Sequence, residues 1–318
     1  VNGEVPARGA VTTHPADAHP SRRRRARARL RAYTVLIKPR VLELLLVTTA
    51  PMMILAARGL PDLWLFVATL IGGAASASAA SVFNMYLDRD IDAQMARTSS
   101  RPLVTGEITP RAALVFAWLL ALGSTAWFAV FVNTTAALLS AFAIFFYSVV
   151  YTMLLKRRTT QNIVWGGIAG CFPVLIGWAA VTGSVAPAPL VLFLVVFFWT
   201  PAHYWPLSVR YAGDYRRAGV PMLGAVRGLV HVGSRVAAYA VATVATSLVL
   251  IPVGGMGLIY TAVAVGAGAW FVGEAVRLLV VSRRAGDREP RPMRVFHASN
   301  GYLTLLFVAV AVDPLLHL

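Results

Sequence analysis

The sequence predicts an all-α integral membrane protein with nine transmembrane helices, and three features predict it. Of its 318 residues, 58% are apolar and only 13% charged, against roughly half and about a quarter in soluble domains. Apolar stretches long enough to cross a ~30 Å hydrocarbon core, which takes about 20 helical residues, recur along almost the whole chain after residue 40. Short connections with little or no basic charge alternate with longer basic ones. Lipid is therefore the solvent for most of the chain, and residues 32–318 form one membrane domain with no separate soluble unit.

Residues 1–31 precede it as a basic tail rich in Pro, Ala, Arg and His, including the run Arg22 to Arg25. With few apolar residues to bury, the tail is expected to be disordered. No short apolar segment with a small-residue cleavage site follows, so no removable signal peptide is expected. Apolar runs bounded by charge, Gly and Pro then mark spans at about 41–57, 63–86, 112–132, 134–154, 162–182, 189–209, 235–253, 257–280 and 296–316. Val132-Asn133-Thr134 and the stretches Thr182 to Pro189 and Pro252 to Gly257 carry no Lys or Arg.

With the N-terminus in the cytoplasm, every Lys and Arg except Arg58 falls on the cytoplasmic side. That asymmetry supports both the count of spans and a multi-pass protein of the cell membrane with a cytoplasmic N-terminus, because one missed span would scramble it. It also accounts for the formal charge of +16. Arg22 to Arg25 read as a topology determinant beside anionic lipid, and nucleic-acid binding is excluded on that ground. Cys171, the single cysteine, lies in an apolar segment and is read as a small buried residue.

Two inside connections, Leu87 to Arg111 and Arg210 to Ser234, are too long to be simple linkers. Both are amphipathic and punctuated by Pro, which fits ordered segments capping a cavity. The first begins where span 2 ends, at Ser81-Val82-Phe83-Asn84-Met85-Tyr86-Leu87-Asp88-Arg89-Asp90-Ile91-Asp92. At 3.6 residues per turn Asn84, Asp88 and Asp92 stack on one helix face and Asp90 points away. These acids sit at the C-terminal end of their helix, where the macrodipole disfavours negative charge. A hard divalent cation accounts for them better, since Mg²⁺ is commonly held by one or two carboxylates plus phosphate oxygens. Arg97 and Arg101 follow closely as candidate anion partners.

This arrangement resembles the UbiA superfamily of intramembrane prenyltransferases, whose first signature is Asn-x3-Asp-x3-Asp. More narrowly, Asn84 to Asp92, Met95 to Thr98 and Arg101 to Gly106 are similar to the protohaem IX farnesyltransferase branch. So are Lys38 to Val41, Leu155 to Val164, Pro173 to Gly183, Thr200 to Trp205 and Asp214 to Leu223, so the resemblance covers residues 33–318. It implies helices around a central cavity open near the cytoplasmic side, and transfer of a farnesyl group from farnesyl diphosphate to a vinyl group of haem b, with water addition, giving haem O. It further implies Mg²⁺ as cofactor, contact with membrane lipid, and a downstream haem A synthase or oxidase assembly factor as partner.

Carried onto matching positions, the resemblance implies that Asn84, Asp88, Asp92 and Asp214 hold the metal and are catalytic. Arg97, Arg101, Lys156, Arg157 and Arg210 become the candidate diphosphate ligands, Arg through forked donors and Lys as a point charge. The resembled enzymes commonly carry two adjacent acids before the second-loop Tyr. Here Gly213 stands at the first position, leaving Asp214 the sole carboxylate of that motif. His203 is the candidate haem residue, as His is a common iron ligand. His231 and His297 are weaker candidates, and His14, His19 and His317 lie near the ends. Glu43 and Glu274 are intramembrane acids, the first expected to pair with Arg40 and the second without an assigned partner.

Two other readings remain open. A UbiA-type enzyme acting on an aromatic acid or quinone precursor would share the metal site. A secondary transporter is disfavoured because its ion-binding groups belong near the midplane of repeated halves, whereas these acids cluster at one end.

Overall fold

The computed structural model describes residues 22–284 and 289–316, with the backbone alone described at residues 22, 24, 25 and 40–45. Residues 1–21, His14, His19, His317 and the expected Glu43–Arg40 pairing lie outside the described residues. No strand occurs among the described residues.

From Arg22 the chain is helical, which departs from the disorder expected through residue 31. Helix α1 (Arg22–Ile37) exposes Arg23, Arg27 and Arg29 and buries Ala32 and Leu36 against Val82, Phe83 and Leu103. That anchor, lying beyond the basic run, is what orders it. The other helices are α2 (Pro39–Ala57), α3 (Leu63–Asp92), α4 (Pro102–Thr105), α5 (Pro110–Phe131), α6 (Thr134–Phe145), α7 (Asn162–Gly166), α8 (Phe172–Thr182), α9 (Pro187–Arg210), α10 (Ala212–Arg217), α11 (Leu223–Val226), α12 (Leu229–Gly254), α13 (Leu258–Arg283) and α14 (Pro292–Leu316). A π-helical stretch, Phe146–Leu155, continues α6, and a 3-10 stretch, Gly167–Cys171, joins α7 to α8.

Eight segments among the described residues are long and apolar enough to cross a membrane: α3, Thr134–Leu155, Asn162–Thr182 and the helices α5, α9, α12, α13 and α14. The first of the nine expected spans is α2, a 19-residue helix whose described apolar part is Leu46–Ala57. Short connections are closed by their own side chains. Asn133 caps α6 through Ala136 N at 2.8 Å and donates from Nδ2 to the Ala179 carbonyl at 2.8 Å, tying the connection after α5 to α8.

Packing follows the small residues. A Cβ at Gly177 would lie 2.6 Å from the Thr49 carbonyl, so α2 and α8 meet backbone to backbone. Helix α9 lies between α12 and α14, with Trp205, Tyr260, Phe271, Tyr302 and Phe307 filling that half of the core. Helix α14 returns against α2, and α2 also touches α3 and α8, so the helices close on themselves. An apolar cavity of about 190 Å³ lies between α2, α3, the end of α6 and the start of α8.

Candidate active site

Helix α3 continues unbroken through Asp92, which places the acidic ladder at the end of a membrane-long helix. Asn84, Asp88 and Asp92 are 4%, 0% and 2% exposed, so two carboxylates are almost wholly removed from water. Burial on that scale requires compensating charge. Lys156 Nζ donates to Asp88 Oδ2 at 2.5 Å and Arg101 Nη1 to Asp92 Oδ2 at 2.5 Å. Asn84 Nδ2 donates to Asp88 Oδ2 at 2.7 Å, so amide and carboxylate interlock one turn apart. Asp90 is exposed, as its place on the helix requires, and takes both guanidinium donors of Arg157 at 2.6 and 2.7 Å.

Local sequence explains how each partner arrives. Thr98 Oγ1 donates to the Asp92 carbonyl at 2.9 Å and closes the end of α3. Pro102 then holds Arg101 extended, at φ −67° and ψ 144°, and opens α4, while buried Leu103 anchors the turn. Gly106, at φ +79°, supplies the left-handed exit. On the facing helix the π-helical stretch widens the turn. Lys156 N bonds the carbonyl of Tyr151 and Thr152 Oγ1 that of Tyr147, each five residues back. This register turns Thr152 toward Asn84 Nδ2, at 3.2 Å, and Lys156 toward Asp88. π-Helical insertions often mark functional sites. Asn162 Nδ2 bonds the Lys156 carbonyl at 3.2 Å and steadies the far side of that turn.

Lys38 completes the cluster and was not among the sequence-derived ligands. It occupies the elbow between α1 and α2 in the left-handed region, at φ 51°, and its Nζ donates to Asn84 Oδ1 at 2.8 Å. Burial, and then the neighbouring charges of Arg101 and Lys156, lower its ammonium to about 7. Its only sequence signal was a Lys-Pro pair ahead of the first span.

The second loop approaches through aromatic groups. Arg97 lies over the Tyr211 ring at 5.4 Å, and nearby the Tyr215 hydroxyl is 2.8 Å from that of Tyr204. Tyr147 and Tyr151, with ring centroids 5.4 Å apart, line the same region. Val220, Met222 and Leu223 are buried and pin the loop. Asp214 ion-pairs with Arg217 inside the short helix α10. Among the described residues, no three His, Cys, Asp or Glu side chains gather as a metal site, so Asp214 is not joined to the ladder. Arg210 is exposed at the end of α9, and His231 and His297 are exposed as well.

Asp88 Oδ1 is buried and accepts no hydrogen bond, with Arg157 Nη2 3.8 Å away. An orphaned carboxylate oxygen beside an amide and a second carboxylate is an all-oxygen donor set suited to a hard divalent ion. The ring of cations around it suits an anion with several oxygens.

His203 stands apart, on α9 facing α14. Its ring stacks on Trp199 at 4.2 Å and on Phe296 at 4.5 Å, and Nδ1 is 2.9 Å from Ser299 Oγ. Ser299 already donates to the Phe296 carbonyl, at 2.7 Å, so its oxygen accepts from Nδ1–H and leaves the lone pair on Nε2.

Residues 45–300 match the UbiA prenyltransferase family. The chain is 60% identical over 287 residues to the protoheme IX farnesyltransferase of Clavibacter michiganensis subsp. michiganensis, covering 90% of this chain and 93% of that one. It is 56% identical over 307 residues to that of Paenarthrobacter aurescens, covering 96% and 95%. Among solved structures, digeranylgeranylglyceryl phosphate synthase superposes with a TM-score of 0.74 at 17% identity, over 90% of this chain and 98% of that one. A UbiA homolog from Archaeoglobus fulgidus bound to DMAPP and Mg²⁺ superposes with a TM-score of 0.60 at 18% identity, over 88% and 99%.

Proposed function

The chain belongs to the UbiA prenyltransferase family, and on that premise we propose that Asn84, Asp88 and Asp92, ringed by Lys38, Arg101 and Lys156, form the diphosphate end of its active site. The enzyme is a metal-dependent prenyltransferase of the membrane that transfers a farnesyl group from farnesyl diphosphate to a vinyl group of haem b, with addition of water, giving haem O. The observation that carries the site assignment is the buried Asp88 carboxylate, with one oxygen held by Lys156 and the other without a hydrogen bond.

Asn84, Asp88 and Asp92 are the residues that would hold Mg²⁺, which would supply Lewis-acid polarisation of the bridging diphosphate oxygen. Asp214, committed to Arg217, would join only after exchanging that partner. Lys38, Arg101 and Lys156 bind the diphosphate oxygens and stabilise the charge that develops as the allylic carbon–oxygen bond breaks and its electron pair leaves with the diphosphate. Such fixed, water-excluded charges are effective because they need no reorganisation during the reaction. Arg97 ties the first loop to the tyrosines of the second and shields the cation from bulk water. The vinyl π pair then forms the new carbon–carbon bond, leaving positive charge on the carbon beside the macrocycle, where water adds and gives up one proton to the departing diphosphate.

The farnesyl chain occupies the apolar cavity below the ladder. Gly73, Ala77, Ala80 and Ser81 descend the ladder face of α3 into it, and Tyr147 and Ile176 line its other walls. The small side chains of this lining leave room for a chain. Tyr147 offers a π face near the site of the allylic cation. On α9, the Ser299 bond fixes the His203 tautomer with Nε2 free to meet the haem iron, an arrangement common for metal-bound His. We place this end of the bundle in the cytoplasm of the cell and assign release of haem O to a haem A synthase or oxidase assembly factor.

Purified protein incubated with farnesyl diphosphate, Mg²⁺ and either haem b or 4-hydroxybenzoate, followed by mass spectrometry, tests the acceptor. Farnesylated haem is expected, and prenylation of the benzoate alone would overturn it.

A further inference from the structure

We propose that the α13–α14 end of the bundle binds the phosphate headgroup of an anionic phospholipid in an arginine-lined cavity separate from the ladder. The cavity, about 510 Å³, lies at the end of α13 and the start of α14. Arg277, Arg291 and Arg294 line it together with Glu274 and Glu289, over an apolar floor of Leu278 and Val281.

Its charges are not mutually satisfied. Arg294 Nη2 donates to Glu274 Oε1 at 2.8 Å, which gives the intramembrane acid of span 8 its partner and holds Arg294 in place. Among the described residues, Arg277 and Arg291 make no side-chain hydrogen bond or ion pair, and Glu289 is the carboxylate of the cavity lining left to answer them. The lining is net positive, with two uncommitted guanidinium forks of the geometry that grips a phosphate. Arg291 sits in Pro290-Arg291-Pro292, where flanking prolines restrict its backbone before any ligand arrives. Helix α14 begins at Pro292, so the positive end of its dipole faces the same space.

The surroundings select a lipid over a soluble anion. Beside Arg277, α13 exposes Val276 and Val280, at 42% and 38%, on the side that faces hydrocarbon in a bilayer. The alternation of spans puts the cavity at the same end of the bundle as Asp88 and Asp92, the level of headgroup phosphates. Acyl chains would run along α13 while the phosphate enters between the arginines. Basic pockets between membrane helices are a recurrent form of anionic-lipid site.

The test is native mass spectrometry of the detergent-purified full chain titrated with phosphatidylglycerol or phosphatidylcholine. The wild type should retain phosphatidylglycerol preferentially, and Arg277→Gln/Arg291→Gln should weaken its retention by roughly tenfold or more, given the attraction of each surface Arg for anionic lipid. Glu289→Gln, which removes the opposing carboxylate, should tighten it. Equal retention by wild type and double variant, or no gain in Glu289→Gln, overturns the proposal. Displacement of the lipid by millimolar inorganic phosphate would overturn the lipid assignment, and persistence in phosphate supports it. Farnesyl transfer in detergent with saturating substrates should be unchanged in these variants, so the outcome is independent of the assignment of the ladder.

Discussion

Lys38 Nζ lies 2.8 Å from Asn84 Oδ1, a contact between residues 46 positions apart that joins the α1–α2 elbow to the top of the acidic ladder. It makes the N-terminal elbow part of the site. A half-buried ammonium held against an amide, with Arg101 and Lys156 near, is poised for a multiply charged anion.

Lys38→Met should therefore lower kcat/KM for farnesyl diphosphate by roughly ten- to a hundredfold, the range of one charge-assisted hydrogen bond. Lys38→Arg should recover part of it. Steady-state kinetics with varied farnesyl diphosphate checks this, and an unchanged KM and kcat in Lys38→Met would remove Lys38 from the diphosphate site.

Asp88→Ala should abolish turnover, to below about a thousandth of wild type, because it removes the only ladder carboxylate that touches both Asn84 and Lys156. The protein should still elute as a folded species in size-exclusion chromatography. Near-native activity with the divalent ion limiting would sink the ladder assignment. Asp214→Ala should be milder and show mainly as a raised metal requirement, since Asp214 is held by Arg217 away from the ladder.

Lys156 and Arg157 are adjacent but not equivalent. Lys156 is 12% exposed and bonded to Asp88, whereas Arg157 is 37% exposed and committed to Asp90, itself 59% exposed. Exposed ion pairs contribute only about 0–1 kcal/mol. Arg157→Gln should therefore change kcat/KM less than roughly fivefold and Lys156→Gln far more. Comparable losses would restore Arg157 as a diphosphate ligand.

Ala77→Phe, which places a ring in the apolar cavity, should shift the donor preference toward shorter chains. Turnover with farnesyl diphosphate is expected to fall while geranyl diphosphate is retained, as read by mass spectrometry of mixed-donor reactions. An unchanged preference would mean the chain lies elsewhere.

Titrating the protein with haem b should shift the Soret band; His203→Ala should abolish that shift, and Ser299→Ala should weaken it by releasing the ring tautomer. A spectrum unaffected by either change would assign His203 to packing against Trp199 and Phe296.

Much of this architecture was legible in the chain. Helical spacing and apolar length depend on hydrogen bonds between near neighbours, so the spans, the ladder face of Asn84, Asp88 and Asp92, and the outward Asp90 all followed from residue order. The run Arg101-Pro102 likewise contained its own geometry, because proline restricts the residue before it.

The tertiary structure decided which cation answers which acid. Lys156 and Asp88 are 68 residues apart, and they meet because a π-helical register turns one helix toward another. Arg157, one residue on, thereby goes to Asp90. Lys38 reaches Asn84 only because α1 packs Ala32 and Leu36 onto α3, and α2 meets α8 without a side chain between Gly177 and the Thr49 carbonyl. The sequence by itself determined which groups line each helix, since that is local backbone geometry. The rotation of each helix against its neighbours, and with it the pairing of every buried charge, depends on packing between distant segments, which no local pattern encodes.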